Sequence, residues 1–199
     1  MQQVVAGTLR GRRLLPLPRS ISGVRPSSSR VRSAIFDRLQ GEVVGARVLD
    51  LCAGTGALAI EALSRGAAHA TLVEQLPGLE RFLAQQLDAL GLRDRARVVR
   101  DDARRFLTRC AATPGFEPWD LVLIDPPYAE IDLYGAVLAG LLAGRALAAD
   151  AVVVIEYELH RGRRPALVIP PELVLEATRD HGQTALEFLR YTPAPRTET

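Results

Sequence analysis

Apolar positions along the chain fall into two alternating rhythms. Short β-branched runs have the length and composition of buried strands: R-V-L-D-L (47–51), H-A-T-L-V-E (69–74), A-R-V-V-R (96–100), L-V-L-I (121–124) and A-V-V-V-I-E-Y (151–157). Between them, Ala57–Ser64, Pro77 to about Leu90, Ala103–Cys110 and Leu133–Leu142 carry helical spacing. In the second of these, Leu79, Phe82, Leu83, Leu87 and Leu90 line one face, and Pro77 suits an early helical position. Repeated strand–helix alternation predicts a parallel sheet with helices on both faces. Near the end, E-L-V-L-E-A-T-R (172–179) and T-A-L-E-F-L-R-Y (184–191) flank the turn signal Asp180-His181-Gly182-Gln183. These predict an antiparallel hairpin closing the sheet, with His181 in its turn.

Before Ala46 the pattern is separate. V-V-A-G-T-L-R-G-R-R-L-L (4–15) resembles two short strands with glycine at the bends, and Pro16, Pro18 and Pro26 mark an irregular linker. Ser29–Gln40 reads as a helix with Val31, Ile35, Phe36 and Leu39 on its apolar side and Ser29 as N-cap. The division expected is a basic arm over residues 1–40 and a core over 41–199. Charge supports that division. Residues 1–40 hold eight arginines against Asp37 alone, so the arm is +7 and, with a net charge of +2, the rest is −5. All 25 basic residues are arginine, which codon bias can produce, but codon bias does not gather charge at one end. A basic arm on an acidic body points to a polyanionic partner.

Composition narrows the class further. At 199 residues, 48% hydrophobic and 24% charged, the chain is long enough for a full core. Its first residues lack the apolar stretch of a secretory signal, and Tyr134–Tyr157 is broken by Arg145 and Asp150, so no membrane span is expected and a cytoplasmic location is. Cys52 and Cys110 suit buried free thiols, and His69, His160 and His181 lack ligand spacing, so no metal site is expected. No exposed apolar stripe is evident, and a monomer is expected.

D-L-C-A-G-T-G-A-L-A (50–59) joins the first strand to the first helix. Gly54 and Gly56 allow a sharp turn and close approach of a ligand to the unpaired N–H groups of the helix start. Glu74, twenty residues after Gly54, ends the second strand, where an acid takes both ribose hydroxyls of an adenosine. Gly54-x-Gly56-x-x-Ala59 also satisfies a dinucleotide fingerprint, so a nicotinamide enzyme competes. Two acids favour S-adenosylmethionine instead. Asp50 is placed to meet a cationic amino-acid moiety, and Asp102-Ala103 to offer an acceptor for an adenine amine and a backbone N–H for a ring nitrogen.

L-V-L-I-D-P-P-Y (121–128) ends a strand on an acid and two prolines. In a sheet that switches direction between first and fourth strands, that end faces the cofactor crevice. Pro126 and Pro127 fix φ and carry no N–H, so the edge presents acceptors only, the Asp125 carboxylate and a proline carbonyl. Two fixed acceptors suit a planar NH₂ group, and Tyr128 supplies a face for its ring, worth roughly 1–3 kcal/mol per base. The set fits methyl transfer to an exocyclic amine of a nucleobase that has left its stack. Asp125, Pro126, Pro127 and Tyr128 are thus the candidate catalytic residues.

L-D-L-C-A-G-T-G-A-L, E-A-L-S-R-G-A, D-P-P-Y and the arm segments G-T-L-R-G-R-R-L (7–14) and R-P-S-S-S-R-V-R-S-A-I-F (25–36) together resemble the bacterial small-subunit rRNA guanine-N2 methyltransferases of the RsmD type, over nearly the whole chain. The resemblance implies a Rossmann-like, seven-stranded class I methyltransferase sheet, mostly parallel with a C-terminal antiparallel hairpin, and a small N-terminal hairpin-and-helix arm. It implies S-adenosylmethionine held by Gly54, Gly56, Glu74 and Asp102, and a guanine of 16S rRNA, in the small subunit or a late assembly intermediate, held by Asp125 to Tyr128. Arg10, Arg12, Arg13, Arg25, Arg30 and Arg32 are the expected RNA contacts. Departures from the family pattern are Ala6 for a glycine, Ser27 for threonine, Ser29 for aspartate and Ser33 for glutamate. The alternative is another nucleobase- or glutamine-amine N-methyltransferase, for example on adenine N6. An oxidoreductase lacks a catalytic lysine here, and a purely RNA-binding module leaves Glu74, Asp102 and D-P-P-Y without a role.

Overall fold

Four central parallel strands form because their residues are largely apolar on both faces, and a fifth, at the sheet edge, is only half-buried. β1 (Arg47–Leu51), β2 (His69–Glu74), β3 (Ala96–Arg100), β4 (Trp119–Ile124) and β5 (Leu147–Glu158) pair in parallel, and β6 (Leu173–His181) and β7 (Thr184–Tyr191) extend the sheet antiparallel. The strand order is β3-β2-β1-β4-β5-β7-β6. The computed structural model describes residues 2–21, 23–24, 27–126 and 131–193.

Alternate residues of each strand enter different cores. Val48, Leu121, Leu123, Val152 and Val154 pack beneath α1 (Ser29–Arg38), α2 (Ala57–Ser64) and α3 (Leu79–Leu90). Leu49, Leu51, Val122, Ile124, Val153 and Ile155 pack beneath α4 (Ala103–Ala111) and α5 (Ile131–Ala143). A period of two within a wholly apolar run is how a strand buries both faces. Because β1 pairs with both β2 and β4, the sheet reverses direction of growth between β1 and β4, which opens a crevice at their carboxyl ends.

All eight residues of α2 are buried, including Glu61 and Ser64. A helix buried all round needs a cover on its outer side, and residues 4–14 supply it. Val5 and Ala6 donate their N–H groups to the Glu61 carboxylate at 2.8 and 2.9 Å. Thr8 N–H meets the Ser64 carbonyl at 2.8 Å, and Leu9 N–H meets its hydroxyl at 3.0 Å. A Cβ on Gly7, whose φ is +81°, would lie 2.0 Å from the Ser64 carbonyl oxygen, so only glycine allows this approach. Val4, Leu14, Val31, Ile35 and Phe36 of the arm share the core of α2 and α3.

Several local expectations shift. The arm folds back on itself as an antiparallel hairpin too short for regular strands: Gln3 bridges Arg13, Val4 N–H donates to the Arg12 carbonyl, Gly11 N–H to the Val4 carbonyl and Leu14 N–H to the Gln2 carbonyl. The first helix stops at Arg38, and its N-cap is Ser28, whose hydroxyl accepts from Val31 N–H at 3.2 Å; Ser29 is already helical. α3 begins at Leu79, because Gly78 is left-handed (φ +87°), which leaves Pro77 outside the helix. The hairpin turn contracts to Gly182-Gln183, and His181 ends β6 opposite Thr184. Cys110 is buried as expected, whereas Cys52 is only half-buried. Among the described residues, no helix is long and apolar enough to cross a membrane.

Candidate active site

The crevice between the carboxyl ends of β1 and β4 opens into a cavity of about 560 Å³, within the range of small-molecule sites. Asp50, Gly54, Glu74, Asp102, Ala103, Asp125 and Pro126 all line it. Six carboxylates, those of Asp50, Glu74, Asp101, Asp102, Asp125 and Glu156, thus stand in a wall that is otherwise largely apolar.

Asp50, Glu74 and Asp102 are positioned by backbone N–H groups. Asp50, on β1 and 1% exposed, accepts from Ala59 N–H in the first turn of α2 at 3.1 Å. Its other oxygen is buried and has no hydrogen-bond partner among the described residues. Burial pushes its carboxyl up to about 8; the Ala59 bond opposes this, and the charges of Asp125 and Glu74 add to it. Glu74, at the end of β2, accepts from Gly54 N–H and Leu76 N–H, both at 2.9 Å. Asp102 caps α4 by accepting from Arg104 and Arg105 N–H at 3.0 and 3.2 Å. The side-chain bond from Arg104 holds Asp102 below the usual carboxylate range.

The two loop glycines do different work. Gly54 (φ +53°) lies in the cavity wall, and a Cβ there would meet Val24 of the linker at 3.3 Å. Gly56 (φ +74°) faces inward instead, where a Cβ would sit 2.8 Å from Leu83 Cδ2 and 3.1 Å from Leu72 Cδ2. Expected as a ligand contact, Gly56 is a packing position beneath α3, because the loop must turn into α2 against that helix.

Opposite the glycine loop, β4 delivers Asp125 and Pro126. Ser27 of the linker donates its hydroxyl to Asp125 Oδ2 at 2.7 Å. Pro127 and Tyr128, the rest of the candidate catalytic set, lie outside the described residues. Ser27 is itself anchored: its carbonyl accepts from Arg32 Nη1 at 2.6 Å and from Gln2 Nε2 at 3.0 Å.

That anchoring corrects the expectation for Arg32. It is 1% exposed, donates to the Gln3 carbonyl at 2.8 Å and lies 3.9 Å from Glu61. Burial lowers its pKa, opposed by Glu61 and Glu156. A guanidinium enclosed in this way cannot reach RNA; it clamps the arm. Arg10, Arg12, Arg13 and Arg30 are exposed, and Arg25 lies outside the described residues. Arg10 and Arg30 line a second, open groove between the arm and α1.

The family resemblance implies that the segment 25–32, which contains Ser27, lines the cofactor mouth, and Ser27 does line the cavity; sequence reading missed other wall or anchor residues, among them Glu61, Glu156 and His181. Glu61 carried a legible signal, an acid in the middle of an apolar helix. His181 lines both the cavity and the arginine groove, because the strand pair ends at His181–Thr184 rather than two residues earlier. Taken together, the cavity offers many fixed acceptors. It suits a cationic ligand rich in N–H and O–H donors and disfavours a pyrophosphate.

Comparison with known proteins agrees with this geometry. The family model described as Conserved hypothetical protein 95 matches residues 2–190. The chain is 35% identical over 183 residues to Ribosomal RNA small subunit methyltransferase D of Escherichia coli (strain K12), covering 92% of this chain and 86% of that one. It is 34% identical over 159 residues to the Putative rRNA methyltransferase YlbH of Bacillus subtilis, covering 78% of this chain and 82% of that one. Among solved structures, the Putative methyltransferase yhhF from Escherichia coli superposes with a TM-score of 0.82 at 33% identity, covering 96% of this chain and 97% of that one. By fold, by the matched span and by these relatives, the chain belongs to the Conserved hypothetical protein 95 family.

Proposed function

We propose that the chain transfers the methyl group of S-adenosylmethionine to the exocyclic N2 amine of a guanine in 16S rRNA of the small ribosomal subunit. The observation that carries this reading is a single cavity lined by the acids of β1, β2 and the β3–α4 turn together with Asp125-Pro126 of β4. The rRNA substrate is supported by the relatives named small subunit methyltransferase D and by the exposed arginines of the arm.

The cavity fits the donor. S-adenosylmethionine supplies an electrophilic methyl group on a sulfonium centre, with ammonium, ribose hydroxyls and an adenine amine as further donors. Glu74 is already fixed by two N–H groups and keeps lone pairs for ribose hydroxyls. Asp102 and the Ala103 backbone meet the adenine edge. The unpartnered, buried Asp50 oxygen lies near the glycine loop, where a bound cationic group favours the ionised carboxylate that burial alone opposes.

At the other end, Asp125 and the Pro126 carbonyl accept the two N–H bonds of the amine, which aims its lone pair for in-line attack. Tyr128 stacks on the guanine. As the nitrogen–carbon bond forms and the carbon–sulfur bond breaks, the nitrogen becomes acidic and its proton passes to Asp125 or water. The acceleration comes from positioning and from fixed charge. We place the enzyme in the cytoplasm, as a monomer, acting on the small subunit or a late assembly intermediate.

The test incubates the protein and labelled S-adenosylmethionine with unmethylated small subunits and identifies the labelled nucleoside by mass spectrometry. N2-methylguanosine is expected. Label on adenine N6 alone would select the alternative amine.

A further inference from the structure

The arm reaches Asp125 through the Ser27 side chain. Ser27 Oγ donates to Asp125 Oδ2 at 2.7 Å across 98 residues of sequence. Ser27 lines the same cavity as Asp125, so the bond lies at the site itself. The hydroxyl is held from behind. Arg32 and Gln2 both donate to the Ser27 carbonyl, Arg32 also holds the Gln3 carbonyl, and Gln2 Oε1 accepts from the Thr55 hydroxyl at 3.3 Å. Arg32 in turn faces Glu61, which binds the backbone of Val5 and Ala6. A buried guanidinium and a buried carboxylate thus fix the position of one serine.

We infer that Ser27 is a positioning residue for Asp125, so that the arm completes the active site as well as contacting RNA. This rests on the methyl-transfer reading above. A carboxylate at a strand end can rotate about two bonds. A charge-assisted hydrogen bond from an anchored hydroxyl restricts that rotation, and with it the direction in which Asp125 presents its oxygens to the amine of the target base. Misplacement of an acceptor that must aim a lone pair is costly in rate, because in-line attack tolerates little angular error. The hydroxyl acts through Asp125 and takes no proton itself.

The experiment compares Ser27→Ala, Ser27→Thr and Ser27→Val in the full chain, acting on unmethylated small subunits with S-adenosylmethionine. Threonine and valine have the same shape and differ in the hydroxyl. Ala and Val variants should lose about tenfold in kcat. Their KM for the subunit and their calorimetric Kd for S-adenosylmethionine should stay within about threefold of the parent. The Thr variant should recover to within about threefold in kcat. Parental kcat in Ala and Val would overturn the inference, and so would a rate above the parent, which would make the bond a lock. Equal losses in Thr and Val would also overturn it, since backbone rather than hydroxyl would then matter. A parent that transfers no methyl group to any small subunit would sink the underlying reading, an outcome separate from all of these.

Discussion

The acid-lined cavity and the basic arm are both built on side chains that bind backbone groups, but over different distances. In the cavity most partners are close in sequence: Asp102 caps residues two and three ahead, Glu74 takes the N–H two residues on as well as that of Gly54 twenty residues back, and Asp50 takes one nine residues on. In the arm most are remote: Glu61 binds backbone 55 and 56 residues away, Arg32 binds one carbonyl 29 residues away beside that of Ser27 five residues back, and Ser27 meets Asp125 98 residues away. Strand ends and helix starts assemble the first by local turn chemistry. The second is ordered only because a folded α2 stands beneath it.

Breaking the arm at its anchor should give the largest effect. Glu61→Ala leaves Arg32 buried without its carboxylate and frees the Val5 and Ala6 amides, which should cost about 3–5 kcal/mol in denaturant unfolding. Hydrogen exchange at those two amides should accelerate, while affinity for S-adenosylmethionine stays within a few-fold. A drop in cofactor affinity as large as the drop in stability would show that the two regions are not separately built.

Asp125→Ala tests the opposite side. Methyl transfer should fall by about a hundredfold or more, with S-adenosylmethionine affinity within a few-fold. A large drop in cofactor binding would move Asp125 into the cofactor half.

Asp50 gives a pH signature confined to the cavity. Its folded pKa, raised from 3.8 to about 8, means that the folded chain binds more protons than the unfolded chain between those values. Stability therefore falls as pH rises through that window, by on the order of a few kcal/mol in total. Asp102 and Glu176 are shifted downward, so their contributions disappear only as pH falls below the ordinary carboxylate range. Asp50→Asn should flatten Tm against pH from about 4 to 8; an unchanged slope would mean that Asp50 is ionised in the fold.

The smallest effect separates surface arginines from the buried one. Replacing Arg10, Arg12 and Arg13 with glutamine should weaken subunit binding. The slope of log K against log salt should become shallower by up to about 0.7–0.9 for each phosphate that is no longer neutralised. Arg32→Met should alter stability and leave that slope alone. Equal salt slopes for the parent and the triple variant would remove the arm turn from the RNA interface.

Legibility follows the same division. The five parallel strands, the closing hairpin and the cavity acids Asp50, Glu74, Asp102 and Asp125 are readable in the sequence, because apolar period and capping chemistry act over a few residues. Gly54 and Gly56 look alike as sequence, since both supply positive φ. Which one faces the cavity depends on where α3 packs. Arg32 looks like its exposed neighbours Arg30 and Arg10, because a guanidinium signals charge and says nothing of burial. Ser29 looks like an N-cap, and Ser28 takes the position one residue earlier, a choice between adjacent hydroxyls that local pattern does not make.

The sequence by itself determined the sheet, its direction and the acids at the strand ends, because those depend on short-range periodicity and on turns that few residues can make. Only the tertiary structure decided that α2 is covered on its outer side, that Arg32 serves the fold and that Ser27 meets Asp125. Each is a contact between segments distant in the chain, formed where packing brings two surfaces together.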